Sequence, residues 1–156
     1  MQKRLIEKLA ENKRRLLKSE IKEKLVTCAE RGFSYRFADL AQSKQLLELV
    51  LSNSISANIR EGDALGKTEA KQLILNISQS YVAYDDRNVL LYHQYSSEVG
   101  ALVCAFGKCL EHLDGLLECI EFDEGLFNHS FILVESECQF GLCILHTEYG
   151  CELVYW

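Results

Sequence analysis

Apolar positions recur every three to four residues through the first half of the chain. In the second half they alternate or run together. Residues 2–30 carry Leu5, Ile6, Leu9, Leu16, Leu17, Ile21, Leu25 and Cys28 with Lys, Arg and Glu between them, which predicts helix. The stripe drifts around the axis because Glu11, Asn12, Lys13, Arg14 and Arg15 fill the interval from Leu9 to Leu16. The segment therefore reads as two helical pieces, or as one helix frayed at its start, ending at Gly32. A second helix is predicted from Phe37 to Asn53 on Leu40, Leu46, Leu47, Leu49, Val50 and Leu51. Residues 54–66, with Gly62 and Gly66 and mixed polarity, read as a loop. A third helix follows, with Thr68 as N-cap, Lys71 where a capping box wants Glu or Gln, and Leu73, Leu75, Ile77 and Tyr81 on its apolar side.

At Asp85-Asp86 the period changes. Asn88 to Tyr95 is β-branched and aromatic and predicts a strand, with Ala101 to Phe106 as its hairpin partner. Leu110, Leu113, Leu116, Leu117 and Ile120 return to a helical period over residues 108–121. Phe131 to Glu135 predicts a strand, and Phe140 to Thr147 pairs with Glu152 to Trp156 around a turn at Glu148 to Gly150. Helices first and strands later is the order of an α+β fold with a mainly antiparallel sheet. The chain is expected to be a single domain, helical over residues 1–82 and sheet-rich over 83–156. One sheet face is expected to be open to solvent, carrying Glu135, Glu137, Glu148 and Glu152.

Composition alters this picture mainly through charge. Residues 1–78 hold 15 Lys/Arg against 10 Asp/Glu, whereas residues 79–156 hold 2 against 13, giving balances of +5 and −11 within the total of −6. The acidic half also carries 12 of the 15 aromatic residues and six of the seven cysteines. A hydrophobic content of 48% and the absence of proline argue for a folded chain without stiff linkers. The N-terminus lacks the apolar core of a secretory signal, and no window is long and apolar enough for a transmembrane helix. A cytoplasmic location with reduced thiols is the expectation.

Candidate chemistry is sparse. Cys104, Cys109 and His112 share the spacing C-x-F-G-x-C-x-x-H with Cys138, Cys143 and His146, and Cys119 and Cys151 follow the two copies. Zinc accepts such donors, but C-x4-C exceeds the usual ligand spacing, and the first copy enters a helix while the second enters a strand. Buried thiols acting as small hydrophobes are the simpler reading. A Cys/His enzyme would pair a thiol with His93, His112, His129 or His146, but no signature selects one pair. Asp85-Asp86 reads as a polar turn rather than a cation site. No phosphate-binding loop is present, since Gly62, Gly66 and Gly100 stand alone. Lys13, Arg14, Arg15 and Lys18 alternate with Glu7, Glu11, Glu20 and Glu23, which reads as a solvated, self-paired helix face. Neither a nucleic-acid nor a membrane partner is expected, and no cofactor.

What remains is an acidic, aromatic surface. Asp114, Glu118 and Glu121 fall three or four apart on one predicted helix, where like charges repel unless a basic partner neutralises them. Tyr92, Tyr95, Tyr149, Tyr155 and Trp156 are residue types that anchor interfaces. With the stretches FNHSFILVES and FGLCILHTEYGCELVYW, this small acidic α+β chain resembles bacterial immunity proteins of contact-dependent inhibition and related polymorphic toxin systems. The resemblance implies a non-enzymatic inhibitor that neutralises a cognate basic toxin, often a nuclease. The expected contacts are Asp114, Glu118, Glu121, Glu135, Glu137, Glu148 and Glu152 for charge, with Tyr92, Tyr95, Tyr149 and Trp156 as anchors. An acidic homodimeric secretion or adaptor chaperone, holding an extended segment on a sheet edge, is the alternative. A Cys/His or zinc-dependent enzyme is a further one.

Overall fold

A seven-stranded antiparallel sheet, in which Arg36–Phe37, Leu102–Ala105, Asn88–Leu91, Phe131–Glu135, Gly141–Thr147, Gly150–Tyr155 and Asn58–Gly62 lie side by side in that order, organises the chain. The structure is a computed structural model that describes residues 2–52, 55–120, 122–123, 126–127 and 130–156, with 122–123 and 126–127 described by their backbone. In chain order the elements are α1 (Gln2–Lys24), α2 (Val26–Glu30), β1 (Arg36–Phe37), α3 (Leu40–Leu51), β2 (Asn58–Gly62) and α4 (Lys67–Ser78). A 3-10 turn (Gln79–Tyr84) leads to β3 (Asn88–Leu91), α5 (Ser96–Val99), β4 (Leu102–Ala105), α6 (Phe106–Glu111) and α7 (Leu113–Cys119). A separate two-stranded ribbon, β5 (Phe122–Asp123) with β6 (Leu126–Phe127), precedes β7 (Phe131–Glu135), β8 (Gly141–Thr147) and β9 (Gly150–Tyr155). The α+β class and the antiparallel sheet are as the sequence predicts. No helix among the described residues is long and apolar enough to cross a membrane.

Both faces of the sheet are covered, so the open acidic face is corrected. On one face, Val89, Leu91, Leu102, Phe131, Leu133, Leu142, Ile144 and Leu153 pack with Ile21 and Leu25 and with Ala70 and Ile74 of α4, and with α2, α6 and α7. On the other, Leu90, Val103, Ile132, Val134, Cys143 and Val154 meet Leu46 and Val50 of α3. Every residue of β7 is buried, which is why Phe131 to Val134 is a continuous apolar run rather than an alternation.

Local chemistry explains the boundaries. The predicted helix over residues 2–30 breaks at Leu25, and α2 ends in a Schellman arrangement in which Phe33 N–H donates to Cys28 O (2.9 Å) and Gly32 N–H to Ala29 O (3.1 Å). Gly32 supplies the positive φ of 92° that this ending needs. The second helix begins three residues later than predicted, because the Asp39 carboxylate caps it by accepting from Ala41 N (3.1 Å) and Gln42 N (3.3 Å). Phe37 is left to pair with Leu102 in β1. The cap of α4 is Gly66 rather than Thr68, with the Glu69 carboxylate reaching back to the Gly66 N–H at 3.0 Å. The predicted strand from Asn88 to Tyr95 stops at Leu91, and the helix of 108–121 is two short helices separated by His112. Asn53 and Glu121, the last residues of two predicted helices, lie outside the described residues.

The largest correction is β2. Residues 54–66 read as a loop, yet Asn58–Gly62 pairs antiparallel with β9 from Asn58↔Tyr155 to Gly62↔Cys151. All five residues are exposed, so no burial alternation marks the segment in the sequence. It is a strand because the β9 backbone offers it a ladder.

Candidate protein-binding edge

The acidic residues singled out from the sequence do not form one surface. Asp114 and Glu118 lie on α7, against α4, where Lys71 Nζ stands 2.6 Å from Asp114 Oδ2 and Lys67 Nζ 2.9 Å from Glu118 Oε1. The basic half thus folds back on the acidic half and neutralises these two carboxylates. Glu121 lies outside the described residues.

Glu135 is 1% exposed, which removes it from any surface contact. Its carboxylate accepts from Glu137 N (2.9 Å), Gln139 N (3.1 Å) and Ser136 Oγ (3.2 Å), with Arg87 Nη1 at 3.8 Å. It fastens the β7–β8 turn, in which Cys138 takes a positive φ of 62°. Glu137 stays exposed, with Arg87 at 3.6 Å.

Two of the proposed aromatic anchors are engaged within the chain. The Tyr92 hydroxyl donates to Ser43 O at 2.5 Å beneath α3, and burial raises its pKa. The Tyr95 hydroxyl donates to Glu20 Oε1 at 2.9 Å, and that carboxylate raises its pKa.

The far end of the sheet carries the remaining candidates. Glu148, Tyr149 and Glu152 lie on the β8–β9 hairpin, and Tyr149 is 91% exposed. Glu61 of β2, which the loop assignment hid, is the register partner of Glu152, so two carboxylates face each other across the ladder. Like charges directly opposite are unfavourable in an antiparallel pair. Beside them, Leu51, Ile55, Ile59, Leu145, Val154 and Trp156 line a groove of about 70 Å³. Leu51 and Ile59 are each 55% exposed there. A second hollow of about 430 Å³ runs along Glu61, Gly62, Thr147, Tyr149, Cys151 and Glu152.

Trp156 is held in place from both sides. Its indole N–H donates to Cys138 O at 3.2 Å, and its ring lies so close to Gly141 that a Cβ there would overlap it. The outer side of β2 pairs with no strand among the described residues. The site is therefore an acidic, partly apolar edge with an unpaired backbone, assembled from β2, β9 and the end of α3.

The cysteine patterns do not converge. Cys104 and Cys109 do meet, their thiols hydrogen-bonded, and both are buried; that bond and burial raise the Cys109 pKa well above the ordinary thiol value. His112 instead packs its ring 5.4 Å from Phe33, with Nε2 buried and unpartnered. In the second copy Cys143 is buried, its pKa pushed up to about 12, while His146 is exposed. Cys151 donates to Asp63 O at 3.2 Å, and burial raises its pKa. Raised thiols are poor nucleophiles and poor metal ligands. Among the described residues no three His, Cys, Asp or Glu side chains gather as a metal site requires.

His93 is fully engaged as a structural group. Nε2 lies 2.9 Å from Gly100 O, Nδ1 accepts from Tyr95 N at 3.2 Å, and burial lowers its pKa to about 4. His129 lies outside the described residues.

Residues 17–156 match the model of a family described as YxiF protein. Over all 156 residues, and over the whole of both chains, the sequence is 88% identical to "Uncharacterized protein YxiF" of Bacillus subtilis (strain 168). No solved structure matches it.

Proposed function

The chain belongs to the YxiF family, and we propose that it is a non-enzymatic protein-binding inhibitor of the immunity-protein kind, capturing a basic partner at the edge built from β2 and β9. One observation carries this reading. Glu61 and Glu152 face each other in register beside an exposed apolar groove and the exposed Tyr149, while Asp114, Glu118 and Glu135 have partners inside the fold. A cation seated between the two facing carboxylates relieves their repulsion, and an apolar side chain fills the groove beside it.

The mechanism is electrostatic steering of a basic toxin domain to this end of the sheet, followed by docking on Tyr149 and Trp156. The partner is a cognate toxin domain, a nuclease being the type that such a surface suits. No bond is made or broken. A cytoplasmic setting agrees with seven cysteines that form no disulfide.

β2 also gives the chaperone alternative a specific support. Five exposed edge residues with an unpaired outer ladder can accept an extended segment by strand addition. The two readings differ in stoichiometry: one to one for an inhibitor, a dimer before binding for a chaperone.

The test is a search of the neighbouring genes for a toxin domain, followed by biolayer interferometry of the purified pair over a salt series. The expected association rate falls steeply between about 50 and 500 mM salt. Glu152→Lys and Tyr149→Ala are each expected to weaken binding by roughly tenfold or more. Unchanged affinity in the double variant assigns binding to another surface, and an association rate indifferent to salt removes the steering.

A further inference from the structure

We propose that the N-terminal arm of α1, residues 2–16, is an interfacial helix that docks the protein reversibly on an anionic lipid surface. The arm is the exposed end of α1, tied to the body through the Lys13–Glu98 ion pair. Every residue from Gln2 to Leu16 is exposed, and the one buried residue of the helix is Ile21. Leu5, Ile6, Leu9 and Leu16 are 59 to 68% exposed. At about 100° per residue these four fall within an arc of roughly 100°, which also holds Gln2 and the Lys13 that reaches α5. Arg4, Lys8, Arg14, Arg15, Lys18 and Lys22, with Glu7 and Glu11 among them, occupy an arc of about 120° on the opposite side.

The self-pairing expected from the sequence is mostly unrealised. Among the described residues the ion pairs of this helix are Lys24–Glu20 within it and Lys13–Glu98, which ties it to α5. Lys18 lies over the Phe37 ring at 5.1 Å, while Arg4, Lys8, Arg14, Arg15 and Lys22 make no ion pair among the described residues.

Charge and shape together select the occupant. Residues 2–24 hold nine Lys/Arg against four Glu, and residues 25–156 hold eight against 19 Asp/Glu, so α1 carries +5 and the remainder −11. The whole basic excess of the chain is therefore in this one helix. A helical segment of this length and composition is marginal in water without a surface to cover its apolar stripe. A nucleic acid would engage the basic arc and leave the four apolar side chains in water. A second copy would bring two arms of +4 together, since residues 2–16 hold six Lys/Arg and two Glu. An anionic bilayer satisfies both faces at once, taking the Leu/Ile stripe at the acyl boundary and the basic side chains at the phosphates.

The experiment is co-sedimentation of the full-length chain with vesicles of phosphatidylglycerol and phosphatidylethanolamine, and separately with vesicles of phosphatidylcholine alone. The expected result is pelleting with the anionic vesicles, none with the neutral ones, and release at about 1 M salt. Ile6→Asp with Leu9→Asp, and separately Arg14→Glu with Arg15→Glu, should each reduce the bound fraction roughly fivefold or more. All four side chains are exposed, so the melting temperature should be unchanged. Absence of binding to anionic vesicles, equal binding to neutral ones, or full binding by the Asp variant overturns the proposal. A duplex-DNA shift without vesicle binding reassigns the arm to nucleic acid. A sedimenting dimer lost in the Asp variant, again without vesicle binding, reassigns it to a second copy.

Discussion

The hydroxyl of Tyr92 donates a 2.5 Å hydrogen bond to the carbonyl of Ser43, while the Ser43 hydroxyl accepts from Ala101 N at 2.9 Å. One serine in α3 therefore holds both ends of the β3–β4 connection, and α3 is the helix whose Leu46 and Val50 pack on that face of the sheet. Tyr92→Phe deletes a buried hydrogen bond, which is expected to cost about 0.5–1.5 kcal/mol. Ser43→Ala should cost about 1–3 kcal/mol by orphaning the Ala101 N–H. Urea denaturation measures both, and a double variant far less destabilised than the sum of the singles establishes that they form one unit.

His93 makes stability depend on acid. Its folded pKa is about 4 against an ordinary 6.5, because burial penalises the imidazolium. A lowered histidine is neutral when folded, so the unfolded chain takes up the proton first. Its contribution is complete above about pH 6.5, declines as the pH falls and is exhausted near pH 4. At about 1.4 kcal/mol for each pH unit between the two values, the loss is roughly 3 kcal/mol. The melting temperature should fall over that window, and the slope should flatten in His93→Gln, a variant less stable at neutral pH. An NMR titration in which the His93 ring protonates near pH 6.5 would contradict this.

Asp114 and Glu118 should matter little to partner capture. Their lysine partners are partly exposed and the carboxylates mostly so, which limits each pair to about 0–1 kcal/mol. Asp114→Asn and Glu118→Gln are expected to leave partner affinity within about twofold, whereas Glu152→Lys lowers it roughly tenfold. Equal losses at both places would return α7 to the binding surface.

Glu61 is placed where binding and stability conflict. Glu61→Lys converts a facing pair of like charges into an opposite pair, with an expected gain of about 0.2–1 kcal/mol in thermal denaturation. The same change should weaken capture of a basic partner. A variant both more stable and weaker in binding identifies the edge as the site; a variant unchanged in affinity does not.

The apolar pattern carried the α+β class, the helices α1 and α4 and the three C-terminal strands; in α4 the burial of Ala70, Ile74 and Ser78 is what imprints a helical period on the sequence. β2 left no such imprint, since all five of its residues are exposed and its backbone pairing with β9 needs no particular side chains. The acidic residues illustrate the same division. The chain supplies them, but Glu118 meets Lys67 across 51 positions and Asp114 meets Lys71 across 43, distances over which only helix docking brings charges together. Glu135 looks like its neighbour Glu137 in one dimension. It is buried because the backbone N–H groups of residues 137 and 139 turn back onto its carboxylate. Sequence alone determined that this chain carries a basic helix and an acidic sheet half. Tertiary structure decided which carboxylates find partners within the chain and which face each other at the β2–β9 edge, because an ion pair depends on what packs against a residue and not on what precedes it.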